Sequence, residues 1–350
     1  LQLTDRRFHV ENTTYFSTAN QQLWFQFTKN LQVAGQRRNK IGLAEENLRL
    51  REAVYNGLAA EQYRLTAMKW LDAWAVRERI GVLRYETDDI GQVLVFLRNR
   101  GVSSESSEMI RASLLEAEYR IRLNTAQTEL QTELDNLNLL VGGPVAAEPD
   151  TSLPFAEFGL LPPLDSLMAF AVRTRADAAA ARQQQQVALA RERFEKSNMW
   201  GQPTFGYISN PQNRIPYTGL FITVPFPILD RKAGERQAAR ADAARAETLA
   251  ELIARRVGTE VRNAWRHYQT ARQNTETMRQ LIGPARRDLE RTKAAFFGGQ
   301  TELSLLSFLE AERDLYEAQF MLLDSRLTEY RTLLQLLFAS NRLAAQAEGL

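Results

Sequence analysis

The chain has 350 residues, of which 44% are hydrophobic and 25% are charged, an ordinary composition for a folded protein. Its net charge of +2 excludes the strongly basic surface that nucleic-acid binding needs, so we expect no nucleic-acid partner. The absence of cysteine excludes thiol chemistry and disulfides, and the presence of only His9 and His267 argues against a multi-histidine metal site within one chain.

Two β-hairpins are predicted, over residues 8–33 and 203–229. Each contains a segment rich in β-branched and aromatic side chains with partial two-residue alternation, at 23–28 and 220–224. The second hairpin also has strong turn residues at 209–213. The sequence therefore predicts four short strands per chain.

A long helix and a shorter return helix are predicted after each hairpin. The first pair covers 36–98 and 104–141, and the second pair covers 231–297 and 302–343, with an interruption at Gly283-Pro284. Apolar residues of the last helix mostly alternate steps of three and four, which is typical of a coiled coil.

The sequence also indicates a duplication. The pattern Ala-Gly-x-Arg occurs at 34–37 and again at 233–236, each time where a β-like stretch ends and a long helix begins. We interpret residues 1–141 and 164–345 as two structural repeats, joined by a proline- and glycine-bearing linker over 142–163.

An entry helix over 164–197 leads into the second hairpin, whereas only a few residues precede the first. Because the chain begins at Leu1 rather than Met, we expect a processed or truncated form whose matching N-terminal helix is missing.

Periodicity alone leaves a soluble antiparallel helical bundle as an alternative. The paired strands argue against it, because a simple bundle has no use for hairpins between its longest helices. No apolar run approaches the roughly 20 residues of a membrane-spanning helix, so contact with a membrane would have to use the strands. No nucleophile elbow, phosphate loop or dinucleotide fingerprint occurs, and we expect neither an enzyme nor a cofactor.

Four segments resemble the TolC-like outer-membrane efflux proteins of Gram-negative bacteria. Val224–Arg236 resembles the signature of their second hairpin, a proline-bracketed apolar strand that runs into an Asp/Gly turn. Arg175-Ala176-Asp177 resembles an Arg-Pro-Asp helix start, with alanine in place of proline. Gly299–Arg313 resembles the tip and the Leu-Asp-Ala-x-Arg stretch of the last helix. Leu31–Arg37 resembles the Gly-Lys-Arg junction typical of the heavy-metal branch.

This resemblance implies a mainly α-helical fold with a small β part. Long antiparallel coiled-coil helices would form an α-barrel across the periplasm. Three chains would each contribute four strands to one transmembrane β-barrel in the outer membrane. The implied partners are two further copies of the chain, outer-membrane lipid, a periplasmic adaptor and an inner-membrane pump of the proton-driven RND type.

The resemblance also suggests a gate at the periplasmic entrance. Glu310 falls where the family often has an aspartate that forms a ring by trimer symmetry, and such a ring would attract cations. Ser307 occupies the position of a second common aspartate, a departure for which Glu302 could compensate. The alternative is that Glu310 merely pairs with Arg313 on a solvated helix face.

Adaptor contact is expected at the two helix tips, and membrane contact beside the strands. The tip residues are Gly101 and Ser103 in the first repeat and Gly299, Gln300 and Thr301 in the second. Trp24 and Tyr217 fit an aromatic belt at the bilayer edge, although packing within a hairpin is an alternative for both.

The predicted function is a passive outer-membrane exit duct, most consistent with export of divalent heavy-metal cations. The same channel type serving drug efflux or type I protein secretion is one alternative. A soluble coiled-coil scaffold is the alternative from a different class.

Overall fold

The computed structural model describes residues 25–144, 161–210, 217–225, 231–298 and 305–343. The elements of these ranges, in chain order, are β1 (Phe25–Asn30), α1 (Gln36–Asn99), α2 (Ser107–Val141), α3 (Leu164–Thr174), α4 (Ala176–Ser197), β2 (Thr204–Asn210), β3 (Tyr217–Thr223), α5 (Ala233–Phe297) and α6 (Leu305–Ala339).

The chain divides into two compact units, each of which draws on both halves of the sequence. Unit 1 combines the residues up to Val54 with Ala179–Ile253 and contains the three strands. Unit 2 combines Tyr55–Ala178 with the residues from Ala254 onward. The long helices α1 and α5 therefore each contribute to both units.

The strands form one antiparallel sheet in the order β1-β2-β3. β2 and β3 make the predicted second hairpin, with Asn210 opposite Tyr217 at its turn end. β1 pairs with β2, with Phe25 opposite Ser209 and Asn30 opposite Thr204. The sequence reasoning did not foresee this pairing between the two predicted repeats. The expected upstream partner of β1, near residues 8–15, lies outside the described residues.

The two faces of this sheet differ in chemistry. Because side chains alternate along a strand, the cross-strand register places six apolar side chains on one face. We call this the apolar face, and its apolar members are Phe25, Phe27, Phe205, Tyr207, Leu220 and Ile222. Lys29, Ser209 and Thr218 lie on the same face. All six apolar members are exposed in the chain, up to 71% for Leu220. The opposite face carries mainly glycine, threonine, asparagine and glutamine, together with Ile208, Tyr217 and Phe221.

A close approach between Gly201 and Pro225 closes the base of the β2–β3 hairpin. A Cβ atom on Gly201 would lie 2.4 Å from Cγ of Pro225 and 3.2 Å from its carbonyl oxygen. Because a proline ring cannot rotate away, we expect Gly201→Ala to destabilise unit 1 by about 1–3 kcal/mol.

Gly219→Ala is the matched control for this substitution, since its Cβ would lie 3.8 Å from Ile208, an ordinary contact. Thermal unfolding of the two variants gives the comparison. Equal melting temperatures for the two variants would contradict the steric argument.

Recognisable signals set the ends of α2. The hydroxyl oxygen of Ser106 accepts a hydrogen bond of 3.2 Å from the backbone N–H of Met109 at the first turn. At the other end Gly142 has φ +81° and donates to the carbonyl of Asn138. The helix thus begins at Ser107, three residues later than the predicted 104.

The entry helix predicted over 164–197 is broken at Arg175, so the prediction of one continuous helix is wrong. Arg175 has extended backbone (φ −61°, ψ 137°), and Asp177 accepts a hydrogen bond from the N–H of Ala178 at the start of α4. The guanidinium of Arg175 pairs with Asp177 at 2.6 Å and with Glu260 of α5 at 2.7 Å. These ion pairs hold the break even though alanine stands at residue 176.

The expected interruption at Gly283-Pro284 is not observed, because α5 continues through Pro284. Proline removes one backbone donor, which leaves the carbonyl of Gln280 without its helical partner. Gln280 and Pro284 are both exposed, so water can donate a hydrogen bond to that carbonyl.

The core of unit 2 is formed by facing apolar stripes of its long helices. Leu83, Ile90 and Val93 of α1 and Phe308 and Leu315 of α6 belong to one buried cluster. In a second cluster, Trp74 meets Tyr330 edge to face with ring centroids 5.4 Å apart. Within the described ranges, no helix carries an apolar stretch sufficient to cross a bilayer.

Candidate functional site at the helix tips

The tip between α1 and α2 is a short, hydrogen-bonded turn. Gly101 has φ +75°, a conformation that favours glycine, and its N–H donates to the carbonyl of Arg98 at 3.0 Å. Val102 donates to Leu97 at 3.2 Å, which closes the end of α1. The predicted adaptor-contact residues Gly101 and Ser103 are both exposed here. The other three, Gly299, Gln300 and Thr301, lie outside the described residues.

Four phenylalanines near this turn, which we call the aromatic tip cluster, pack against one another. Phe296 and Phe308 stack with their ring planes 5° apart and their centroids 5.6 Å apart. Phe96 meets Phe296 and Phe297 edge to face at 5.6 and 4.6 Å. Because these residues come from α1, α5 and α6, the cluster brings together the C-terminal ends of α1 and α5 and the N-terminal end of α6.

The predicted gate residues lie on the first turns of α6. Glu310 is exposed and Ser307 is half-buried, whereas Glu302 lies outside the described residues. The expected alternative partner of Glu310, Arg313, instead pairs with Glu317 at 3.2 Å. Arg313 therefore pairs with Glu317 rather than with Glu310.

A second group of carboxylates, which we call the buried acidic cluster, lies deeper in unit 2. Glu86 and Asp89 of α1 and Glu312 of α6 are 1%, 7% and 0% exposed. Lys293 of α5 donates to Asp89 at 2.7 Å. Both oxygens of Glu312 and one oxygen of Glu86 have no hydrogen-bond partner among the described residues.

The pKa values of the two glutamates are raised. Burial is the main cause for each, because the charged form is poorly solvated. The pKa of Glu312 rises to about 9, with the charges of Glu86 and Asp89 as further causes and Lys293 opposing them. The pKa of Glu86 rises to about 7, with Asp89 as the next cause. At neutral pH this site therefore retains at least one proton.

Two tyrosines adjoin this cluster. Tyr119 of α2 is 1% exposed, and burial, followed by the charges of Glu312 and Glu86, raises its pKa. Its ring lies 4.7 Å from that of Tyr316 of α6. The guanidinium of Arg122 donates to the Tyr316 hydroxyl at 3.3 Å. The cluster is thus enclosed by all four long helical segments of unit 2.

Sequence reasoning singled out Glu310 and missed Glu312 and Glu86, although helical spacing held the signal. Glu312 follows Phe308 by four residues and precedes Leu315 by three, so it falls within the apolar stripe of α6. Glu86 follows Leu83 by three residues and precedes Ile90 by four, so it falls within the apolar stripe of α1. A glutamate inside an apolar stripe predicts a buried carboxyl, whereas Glu310 lies off that stripe.

A wide groove bordered by α1, α2, α5 and α6 reaches Lys293 from outside. It has a volume of about 1480 Å³, and its walls include Tyr85, Gln127, Glu290 and Leu315. Lys293 therefore lies both in the wall of this groove and beside Asp89 of the buried acidic cluster. Within the described part of the chain, no three histidine or acidic side chains are arranged to hold a metal ion.

The chain resembles known proteins in its fold but not detectably in its sequence. No family model matches the chain, and no curated protein matches it in sequence. Solved structures do match in shape. The MtrE outer-membrane channel of Neisseria gonorrhoeae has a TM-score of 0.75 at 14% identity and covers 91% of this chain and 75% of its own.

Two further matches cover similar lengths. The CmeC outer-membrane channel of Campylobacter jejuni has a TM-score of 0.71 at 12% identity, over 99% of this chain and 79% of its own. CusC, described as forming a transmembrane channel, has a TM-score of 0.74 at 15% identity, over 96% and 81%. At these identities the likeness concerns the fold, and the chain has the fold of these outer-membrane channel proteins.

Proposed function

We propose that this chain is the outer-membrane channel of a tripartite efflux system. It would act as a passive exit duct in the outer membrane of a Gram-negative bacterium, with its helices extending into the periplasm and without chemistry of its own. The observation that carries this proposal is a chain-long likeness to outer-membrane channels combined with a sheet that exposes an apolar face.

The sheet supports the membrane assignment. In water, an exposed row of large apolar side chains such as Phe27, Leu220 and Ile222 is unfavourable, and patches of this kind mark interaction surfaces. Strands with one apolar and one polar face are the form in which β-structure meets lipid on one side and water on the other. We assign the apolar face to the lipid of the outer membrane.

The proposed assembly is a homotrimer that works with a periplasmic adaptor and an inner-membrane RND-type pump. Three copies would complete one transmembrane β-barrel and one helical tunnel. The exposed tip residues Gly101 and Ser103 would contact the adaptor, together with Gly299, Gln300 and Thr301. Tyr217, 38% exposed at the start of β3, lies on the face opposite the apolar face, so the strand register argues against its predicted contact with lipid. Trp24, which lies outside the described residues, would lie at the membrane interface.

The proposed cargo is a divalent heavy-metal cation. This choice rests on the junction Leu31–Arg37 and on the Pro-Phe-Pro stretch from Pro225, which lean toward the heavy-metal branch. Deletion of the gene from its host, followed by measurement of intracellular metal, tests it. Accumulation of divalent metal that the intact gene reverses is expected. Accumulation of a dye or drug without any change in metal would favour the alternative cargo.

The gate proposal predicts a change in ion selectivity for Glu310→Ala. Three copies of this exposed carboxylate at a narrow entrance would each attract cations by up to about 1 kcal/mol through water. We therefore expect cation-over-anion selectivity in planar bilayers to fall on the order of two- to fivefold.

Glu317→Ala is the control, because Glu317 is exposed on the same helix about two turns further along. Selectivity that stays unchanged in the Glu310 variant, or falls equally in both variants, would refute the gate role.

A further inference from the structure

The buried acidic cluster has no place in the proposed duct, the gate or the tips. It lies inside a single chain, where α1, α2, α5 and α6 contribute to one apolar core. Its three carboxylates and one ammonium would carry a net charge of −2 if all were ionised. Burial of such a charge is strongly unfavourable, so protons must neutralise most of it in the packed state.

Other side chains around the site do not supply this neutralisation. Lys293 is committed to Asp89, which leaves Glu86 and Glu312 without a cation of their own. Arg122 is paired with Glu118 at 2.5 Å and also donates to Tyr316. The titratable and charged groups that act on the two glutamates are Asp89 from α1, Tyr119 from α2 and Lys293 from α5. Glu118 from α2 and Tyr316 from α6 lie next to Tyr119.

The positions of Glu86 and Glu312 allow their charges to affect how α1 packs against α6. Glu86 lies on α1 and Glu312 on α6, in the same apolar core as Leu97 and Phe308 near the helix ends. Two negative charges facing each other there would push α1 and α6 apart and admit water. Two protonated carboxyls leave the helices packed.

We propose that Glu86 and Glu312 form a proton-operated latch, in which protonation holds α6 against α1 below the tips and deprotonation releases it. The latch lies within one chain and does not rest on the proposed channel function. The groove that reaches Lys293 would admit the water that carries the protons away.

The direction of the pH effect follows from the raised pKa values. A carboxyl whose pKa is higher in the packed state than in the open state binds more protons when packed, so rising pH favours opening. Protonation stabilises the packed state fully below about pH 4.5. This stabilisation is lost as pH passes about 7 for Glu86 and about 9 for Glu312. For each proton released, the opening constant should rise about tenfold per pH unit.

Infrared spectroscopy of the full-length protein in detergent tests the protonation. At pH 7 we expect the carbonyl band of a protonated carboxylic acid in an apolar environment, and this band should disappear as the pH rises toward 9–10. The band should be absent from Glu86→Gln/Glu312→Gln and unchanged in Glu317→Gln, whose carboxylate is exposed. A wild-type spectrum at pH 7 without this band would overturn the proposal.

Distance measurement tests the release. Because the chain contains no cysteine, Val95→Cys on α1 and Leu306→Cys on α6 give two unique spin-label sites, 53% and 43% exposed. Labelled protein is diluted with unlabelled protein so that only distances within one chain are recorded. We expect a single short distance at pH 5–6 and a growing longer component above about pH 7.

The double variant Glu86→Gln/Glu312→Gln provides the decisive comparison, since glutamine keeps the side-chain shape but cannot release a proton. It should retain the short distance at every pH, whereas Glu317→Gln should respond as the wild type does. A wild-type distance independent of pH, or a pH response that survives in the double variant, would contradict the latch.

Discussion

Replacing Phe308 with alanine should lower the free energy of unfolding of unit 2 by about 3–5 kcal/mol, the usual cost of removing a fully buried phenylalanine. Phe308 is 0% exposed, stacks on Phe296 and meets Phe297 edge to face at 6.4 Å. Because the cluster joins the ends of α1, α5 and α6, a cavity at Phe308 removes packing from all three helices. Hydrogen exchange of the slowest amides in unit 2 measures the loss.

Leu306→Ala is the matched control for the Phe308 variant. Leu306 lies on the same turn of α6 but is 43% exposed, so its truncation should cost well under about 1 kcal/mol. If both variants lose the same stability, the aromatic tip cluster does not hold the helix ends together.

Lys293→Met should lower the stability of unit 2 by about 1–3 kcal/mol at pH 7. Breaking a buried ion pair typically costs about 3–5 kcal/mol, and we discount this because the Lys293 side chain is 31% exposed. The substitution leaves Asp89 without its cation beside two further buried carboxyls. The loss should grow as pH rises, because each proton released then adds a buried charge that nothing balances.

The latch should also respond to this substitution. Lys293 lowers the pKa of both Glu86 and Glu312, so its removal should raise both values and move the infrared transition to higher pH. Arg291→Met is the control, since Arg291 is 75% exposed and pairs with an exposed aspartate. Its effect should stay within about 0.5 kcal/mol at every pH. A Lys293 variant that behaves like this control would contradict the charge argument.

Much of the helical architecture was predictable because its signals are local. The long segments without proline predicted α1, and turn residues and caps such as Ser106 and Gly142 limit α2. The predictions that were wrong have other physical causes. Pro284 interrupts a local pattern, but α5 tolerates it because the freed carbonyl lies on an exposed part of the helix that water can reach.

Other features depend on contacts between distant residues and could not be read locally. The pairing of β1 with β2 joins residues far apart in sequence. The break at Arg175 had a local signal in Arg175-Ala176-Asp177, but the ion pair from Arg175 to Glu260 on another helix had none. The buried acidic cluster combines residues of α1, α5 and α6, although the position of Glu312 within its apolar stripe was visible in the sequence.

The soluble scaffold and the outer-membrane duct differ most clearly in what covers the apolar face of the sheet. A scaffold would leave Phe27, Leu220 and Ile222 in water or against another soluble chain. A duct would place them in lipid, and detergent would replace that lipid on extraction. The two accounts therefore predict different behaviour of the protein during extraction from cells.

Native mass determination of the full-length protein, after fractionation of its host's membranes, tests the central claim most directly. The account predicts a trimer that is found in the outer-membrane fraction and requires detergent to remain in solution. A monomer or dimer recovered in the soluble fraction without detergent would contradict it.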